Sequence, residues 1–130
     1  MPAETALYAP VKAFLERLGF TVKGEIRGCD VVAVREGEKP LVVVGELKLG
    51  LSLELVLQGV ARLAVADEVY LAVPLTRRGR DQDGRGRQLC RLLGLELLVV
   101  TLSSGHVRLE CEPAPYKARV DLRERELMLR

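Results

Sequence analysis

The sequence predicts an α/β domain built on a central mixed sheet flanked by helices. Three observations point there. Apolar runs at 20–26, 29–34 and 41–47 are separated only by short polar turns, which reads as three consecutive antiparallel strands. Apolar residues at helical spacing precede these runs, and a second such segment follows them. Beyond it, strand and helix patterns alternate, the order that places helices on both faces of a sheet.

Thr5 to Leu18 reads as an amphipathic helix, with Leu7, Val11, Phe14, Leu15 and Leu18 on one face and Gly19 as its stop. Phe20 to Ile26 is the first strand, Gly28 marks a turn, and Cys29 to Val34 is the second strand. The polar turn Glu36-Gly37-Glu38-Lys39-Pro40 leads into the third strand, Leu41 to Leu47. Gly50 breaks the chain, and Ser52 is placed to cap a second helix over Leu53 to Val65. The apolar stripe of that helix is read as Leu53, Val56, Leu57, Val60 and Leu63 or Ala64, with Gln58 beside it.

Val69 to Val73 is a short buried strand. The crossover through the second helix should make it parallel to its neighbour. A Gly/Arg/Asp loop over 75–85, a short helix from Gly86 to Leu93, a strand from Leu95 to Thr101 and an edge strand from His106 to Glu110 complete the body. Pro113 and Pro115 mark a boundary, so residues 1–112 are expected to form the domain and 113–130 a charged tail or helix. That tail has too few apolar residues for a core of its own. It is expected to dock on the body or to belong to something larger, as in a truncated chain.

Composition narrows the class. A chain of 130 residues, 48% apolar and 29% charged, suits one globular domain. No apolar run approaches the roughly 20 residues of a membrane span, and no signal peptide is evident. Cys29, Cys90 and Cys111 are scattered, which suits reduced thiols in a cytoplasmic protein, and the one histidine, His106, has no cysteine pair nearby to make a zinc site. The net charge is only +2 but unevenly spread: six arginines face two aspartates within 77–91. Such a patch suits a polyanionic partner.

The third strand carries the chemistry. Four branched apolar residues, Leu41 to Val44, read as a strand buried on both faces, yet it runs into Glu46 and Lys48. Charges in such a setting are paired, bind metal or do chemistry. Alternation puts Glu46 and Lys48 on one face, roughly 6–7 Å apart. Asp30 interrupts the second strand in the same way. Two acids and a lysine at apolar strand edges form a candidate metal-dependent phosphodiesterase site. Arg77, Arg78, Arg80, Arg85 and Arg87 could clamp phosphates beside it, with no aromatic residues among them to stack bases.

Asp30 followed by Glu46-x-Lys48, between two helices, resembles the PD-(D/E)XK nuclease superfamily over residues 4–73. The stretches Gly24-Glu25-Ile26-Arg27-Gly28-Cys29-Asp30-Val31 and Glu46-Leu47-Lys48-Leu49-Gly50-Leu51-Ser52 look like an uncharacterised bacterial family of phosphodiesterases from that superfamily. The prolyl-aspartate of the signature is absent, because Cys29 precedes Asp30. The resemblance implies a restriction-endonuclease-like fold and a Mg²⁺- or Mn²⁺-dependent nuclease acting on DNA. In that reading Asp30, Glu46 and the Leu47 carbonyl bind metal and Lys48 serves the attacking water. Glu4 matches an additional acidic ligand, with Glu25 a competitor for that place, and Gln58 matches a polar residue facing the cleft. A homodimer would supply the two sites that duplex cleavage needs. The rival expectation is a non-catalytic nucleic-acid-binding or assembly module of the same fold. A third is a purely structural domain.

Overall fold

In the computed structural model, the described residues are 4–76, 84–112 and 121–130. Six strands form one sheet in which spatial order equals chain order: β1 (Thr21–Ile26), β2 (Cys29–Arg35), β3 (Leu41–Leu47), β4 (Glu68–Pro74), β5 (Glu96–Thr101) and β6 (His106–Cys111). Strands β1, β2 and β3 are antiparallel neighbours, β3, β4 and β5 are parallel, and β6 returns antiparallel to β5. The parallel pairings follow from the two crossover helices, α2 (Leu53–Arg62) and α3 (Gly84–Leu93).

The first helical segment is divided. Glu4–Leu7 forms a 3-10 turn and α1 follows as Tyr8–Arg17, so the α-helix begins three residues later than the apolar spacing suggests. Pro10 sits in the first turn of α1, where its missing N–H costs nothing. Gly19 ends the segment at φ +93°, a conformation open to glycine. Leu18 is exposed rather than on the apolar face, and Phe20 is buried instead.

Each face of the sheet carries its own core. Leu7, Val11 and Leu15 pack against Val31, Ala33, Val43, Leu47, Tyr70 and Ala72. On the other face Leu55, Val56 and Cys90 pack against Val69, Leu71, Val73 and Leu97. Strand β4 therefore supplies alternate residues to both cores, as an apolar run in a covered sheet should.

The orientation of α2 corrects the stripe read from its sequence. Leu55, Val56 and Gly59 are buried, whereas Leu53, Leu57 and Val60 are exposed. Gly59 is the reason. A Cβ there would lie 2.8 Å from Leu71 Cδ2 and 3.2 Å from Leu95 Cδ2, so the helix seats its glycine against the sheet. Close approach along a glycine can bury more neighbouring area than a stripe of leucines held further off. Ser52 caps the helix as expected, accepting from the Leu55 N–H at 3.2 Å.

The C-terminal helix α4 (Leu122–Met128) is capped by Asp121, which accepts from the Glu124 N–H at 3.0 Å. Its Leu122, Met128 and Leu129 side chains are exposed. Among the described residues no helix is long and apolar enough to cross a membrane.

Candidate functional site

Asp30 and Glu46 meet where β2 and β3 stop pairing. The ladder runs from Arg35 opposite Leu41 to Val31 opposite Gly45. At the next step Asp30 takes over from the backbone: its Oδ2 accepts from the Leu47 N–H at 2.8 Å. The two carboxyl groups are close enough for Asp30 to act on the charge of Glu46. Glu46 is only 3% exposed. Burial raises its pKa above the usual carboxylate range, a hydrogen bond from Arg62 opposes that, and Asp30 raises it further.

Arg62, at the last turn of α2, is the residue that sequence reasoning missed. Its Nε donates to Glu46 Oε1 at 2.6 Å and its Nη2 donates to the Gly28 carbonyl at 3.0 Å. One guanidinium thus ties α2 to β3 and to the β1–β2 turn, where Arg27 and Gly28 both adopt positive φ. The available signal was spacing: Gln58 and Arg62 are four apart and share a helical face. The Gln58 Oε1 atom is buried with no hydrogen-bond partner. A buried polar atom in that condition asks for a donor.

Lys48 lies one residue beyond β3, where strand alternation no longer governs its direction. It is not paired with Glu46; its Nζ is 3.8 Å from Glu4 Oε2, both side chains being part-exposed. Glu4 and Glu25 line a cavity of about 360 Å³ together with Tyr8, Gly24, Asp30 and Leu47. Both candidates for the additional acid therefore border the cavity that Asp30 enters, with Glu4 engaged by Lys48. Irregular pairing on either side of Gly24 distorts β1 at this point, and a Cβ on Gly24 would come within 3.3 Å of the Tyr8 hydroxyl. Bulges of this kind re-aim side chains next to sites.

The arginines divide. Arg77, Arg78 and Arg80 lie outside the described residues. Arg85 is exposed in the first turn of α3. Arg87 is ion-paired with Glu110, which also pairs with Arg108 at 2.7 Å, so Arg87 is anchored to β6. The start of α3 nevertheless comes close to the chain just after Lys48: a Cβ on Gly86 would lie 2.7 Å from Leu51 Cδ2. Because β3 and β4 are parallel, the segment leaving β4 starts from the same sheet end as Glu46.

The donor set can be tested against a divalent cation. Asp30 Oδ2 is held by the Leu47 N–H and Glu46 Oε1 by Arg62, which leaves Asp30 Oδ1 and Glu46 Oε2 outside these bonds. Metal-binding carboxylates are commonly anchored through one oxygen in this way. Among the described residues no group of three or more His, Cys, Asp or Glu side chains converges as a metal-binding set. Two carboxylates with waters and phosphate oxygens suit Mg²⁺, which keeps much of its hydration. The residues fit such an ion.

No family model matches the chain, and no curated protein matches it. Among solved structures it is similar to an XisH family protein from Nostoc punctiforme, with a TM-score of 0.50 and 19% identity, covering 80% of this chain and 98% of that one. At that identity the likeness speaks for the fold: a six-stranded mixed sheet flanked by helices, compatible with the restriction-endonuclease-like arrangement.

Proposed function

We propose that the Asp30–Glu46 end of the sheet is a Mg²⁺- or Mn²⁺-dependent phosphodiesterase site that hydrolyses nucleic acid, with DNA as the substrate. The observation that carries this reading is the apposition of two carboxylates, each anchored through one oxygen, with Asp30 bordering a cavity also lined by Glu4, which is paired with Lys48. A cation held by Asp30 Oδ1, Glu46 Oε2 and the Leu47 carbonyl would lower the pKa of a bound water and neutralise charge on the phosphoryl oxygens. Lys48, steadied by Glu4, orients the attacking water or offsets the developing negative charge. Gln58 carries a buried amide oxygen without a hydrogen-bond partner, available to accept from a water. The arginines that follow β4 hold the phosphate backbone. Cutting both strands of a duplex takes two such sites, which a homodimer provides.

The test is nicking of supercoiled plasmid in Mg²⁺ by the wild type, Asp30→Ala and Lys48→Ala. Loss of nicking in both variants is expected; equal nicking by all three refutes the assignment. A second reading is favoured by one specific observation, the Arg62 guanidinium on Glu46, which supplies the dyad with a resident cation. In that reading the domain binds nucleic acid without turnover. It requires salt-dependent DNA binding with no uptake of Mn²⁺ by calorimetry.

A further inference from the structure

Resting on the cation-dependent reading, we infer that Arg62 is a positioning residue of the site: it keeps one oxygen of Glu46 while the other takes the divalent ion. The pair is well suited to this. Glu46 is almost wholly buried, so its carboxylate cannot be oriented by solvent. Its bond to Arg62 is short, at 2.6 Å, and uses Nε, leaving Nη2 to reach the Gly28 carbonyl two residues before Asp30. A planar guanidinium can make both bonds at once in fixed geometry; an ammonium cannot. Arg62 thereby sets the spacing between the strand that carries Glu46 and the turn that presents Asp30. The side chain also lines a second cavity, of about 400 Å³, with Cys29, Val32, Val44 and Val65, so it approaches the dyad from the α2 side. The cavity that receives Asp30, Glu4 and Glu25 has a separate lining without Arg62. Arg62 thus stays out of the cavity that Asp30, Glu4 and Glu25 border.

The test compares Mn²⁺ affinity of the wild type and Arg62→Lys by calorimetry. It also follows the Arg62 Nε–H resonance of the wild type, assigned through bonds from its own backbone, during a Mg²⁺ titration. Arg62→Lys should keep a folded circular-dichroism spectrum and bind Mn²⁺ about tenfold or more weakly, since charge without the fork does not restore the geometry. The Nε–H should stay slow to exchange with solvent at saturating Mg²⁺. Equal Mn²⁺ affinity in the two proteins overturns the inference while leaving the cation site standing. Rapid solvent exchange of Nε–H on adding Mg²⁺ also overturns it, because Arg62 would then be a competitor that the ion expels. This second measurement needs no variant and decides the matter even if Arg62→Lys does not fold. No cation uptake by the wild type removes the functional reading and this inference together.

Discussion

The Asp30 carboxylate stands in for a strand: its Oδ2 accepts the Leu47 N–H at 2.8 Å where the β2–β3 ladder ends. A side chain that completes backbone pairing is structural and chemical at once, and substitutions can separate the two roles. Asp30→Asn keeps an acceptor oxygen, so it should remain within about 0.5 kcal/mol of the wild type, whereas Asp30→Ala leaves the N–H unpaired and should lose about 1–2 kcal/mol. Urea unfolding measures both. Equal losses would mean that the hydrogen bond does not hold the strand end.

The buried ion pair should show strong coupling. Arg62→Met leaves the Glu46 carboxylate buried without its partner and should cost about 2 kcal/mol, less than for a fully buried pair because Arg62 is partly exposed. Combining it with Glu46→Gln should recover at least half of that loss. Simple additivity in a double-mutant cycle would argue against the pair.

Gly59 offers a packing test. Alanine there adds helix propensity worth about 1 kcal/mol, but its Cβ meets Leu71 and Leu95, and overpacking costs about 1–3 kcal/mol. Gly59→Ala should therefore be net destabilising, by about 1 kcal/mol. A raised denaturation midpoint would show that α2 can lift off the sheet at no cost.

Stability should fall as pH rises from about 4.5 to 7 because of Glu96. This residue lies opposite Tyr70 in the β4–β5 register and is 9% exposed. Burial pushes its pKa up from 4.5 to about 7; a hydrogen bond from Tyr70 opposes the rise, and the charges of Glu68 and Glu112 add to it. The folded state thus holds a proton that the unfolded state has released between about pH 4.5 and 7. The contribution is fully present below the lower limit and is lost as pH rises through the upper one. Glu96→Gln should flatten that slope and add up to about 3 kcal/mol at pH 8. Denaturant midpoints at pH 5.5 and 8 check this; an unchanged slope in the variant would move the cause elsewhere.

Much of the architecture was readable from pattern alone. The three-strand meander, the helix crossover to a parallel strand, the Ser52 cap and the Gly19 stop all rest on local chemistry: alternation, helical spacing and turn residues. Asp30 and Glu46 stood out for a similar reason, since an isolated charge in an apolar strand is visible one residue at a time. The face that α2 buries was not readable, because a leucine stripe and a glycine seat are indistinguishable until the opposing Leu71 and Leu95 are in place. Lys48 lies just past a strand that ends at Leu47 as expected, and its ion-pair partner, Glu4, comes from a distant part of the chain.

What the sequence determined by itself was the set of elements, their order and the charges that interrupt them, because those follow from covalent neighbours and short-range periodicity. What only the tertiary structure decided was who holds whom: Arg62 on Glu46, Glu4 on Lys48, Leu47 on Asp30. These partners lie between 16 and 44 residues apart in the chain. No local rule selects among the many acids and bases available at such separations; the fold brings a few of them within bonding distance and leaves the others in solvent.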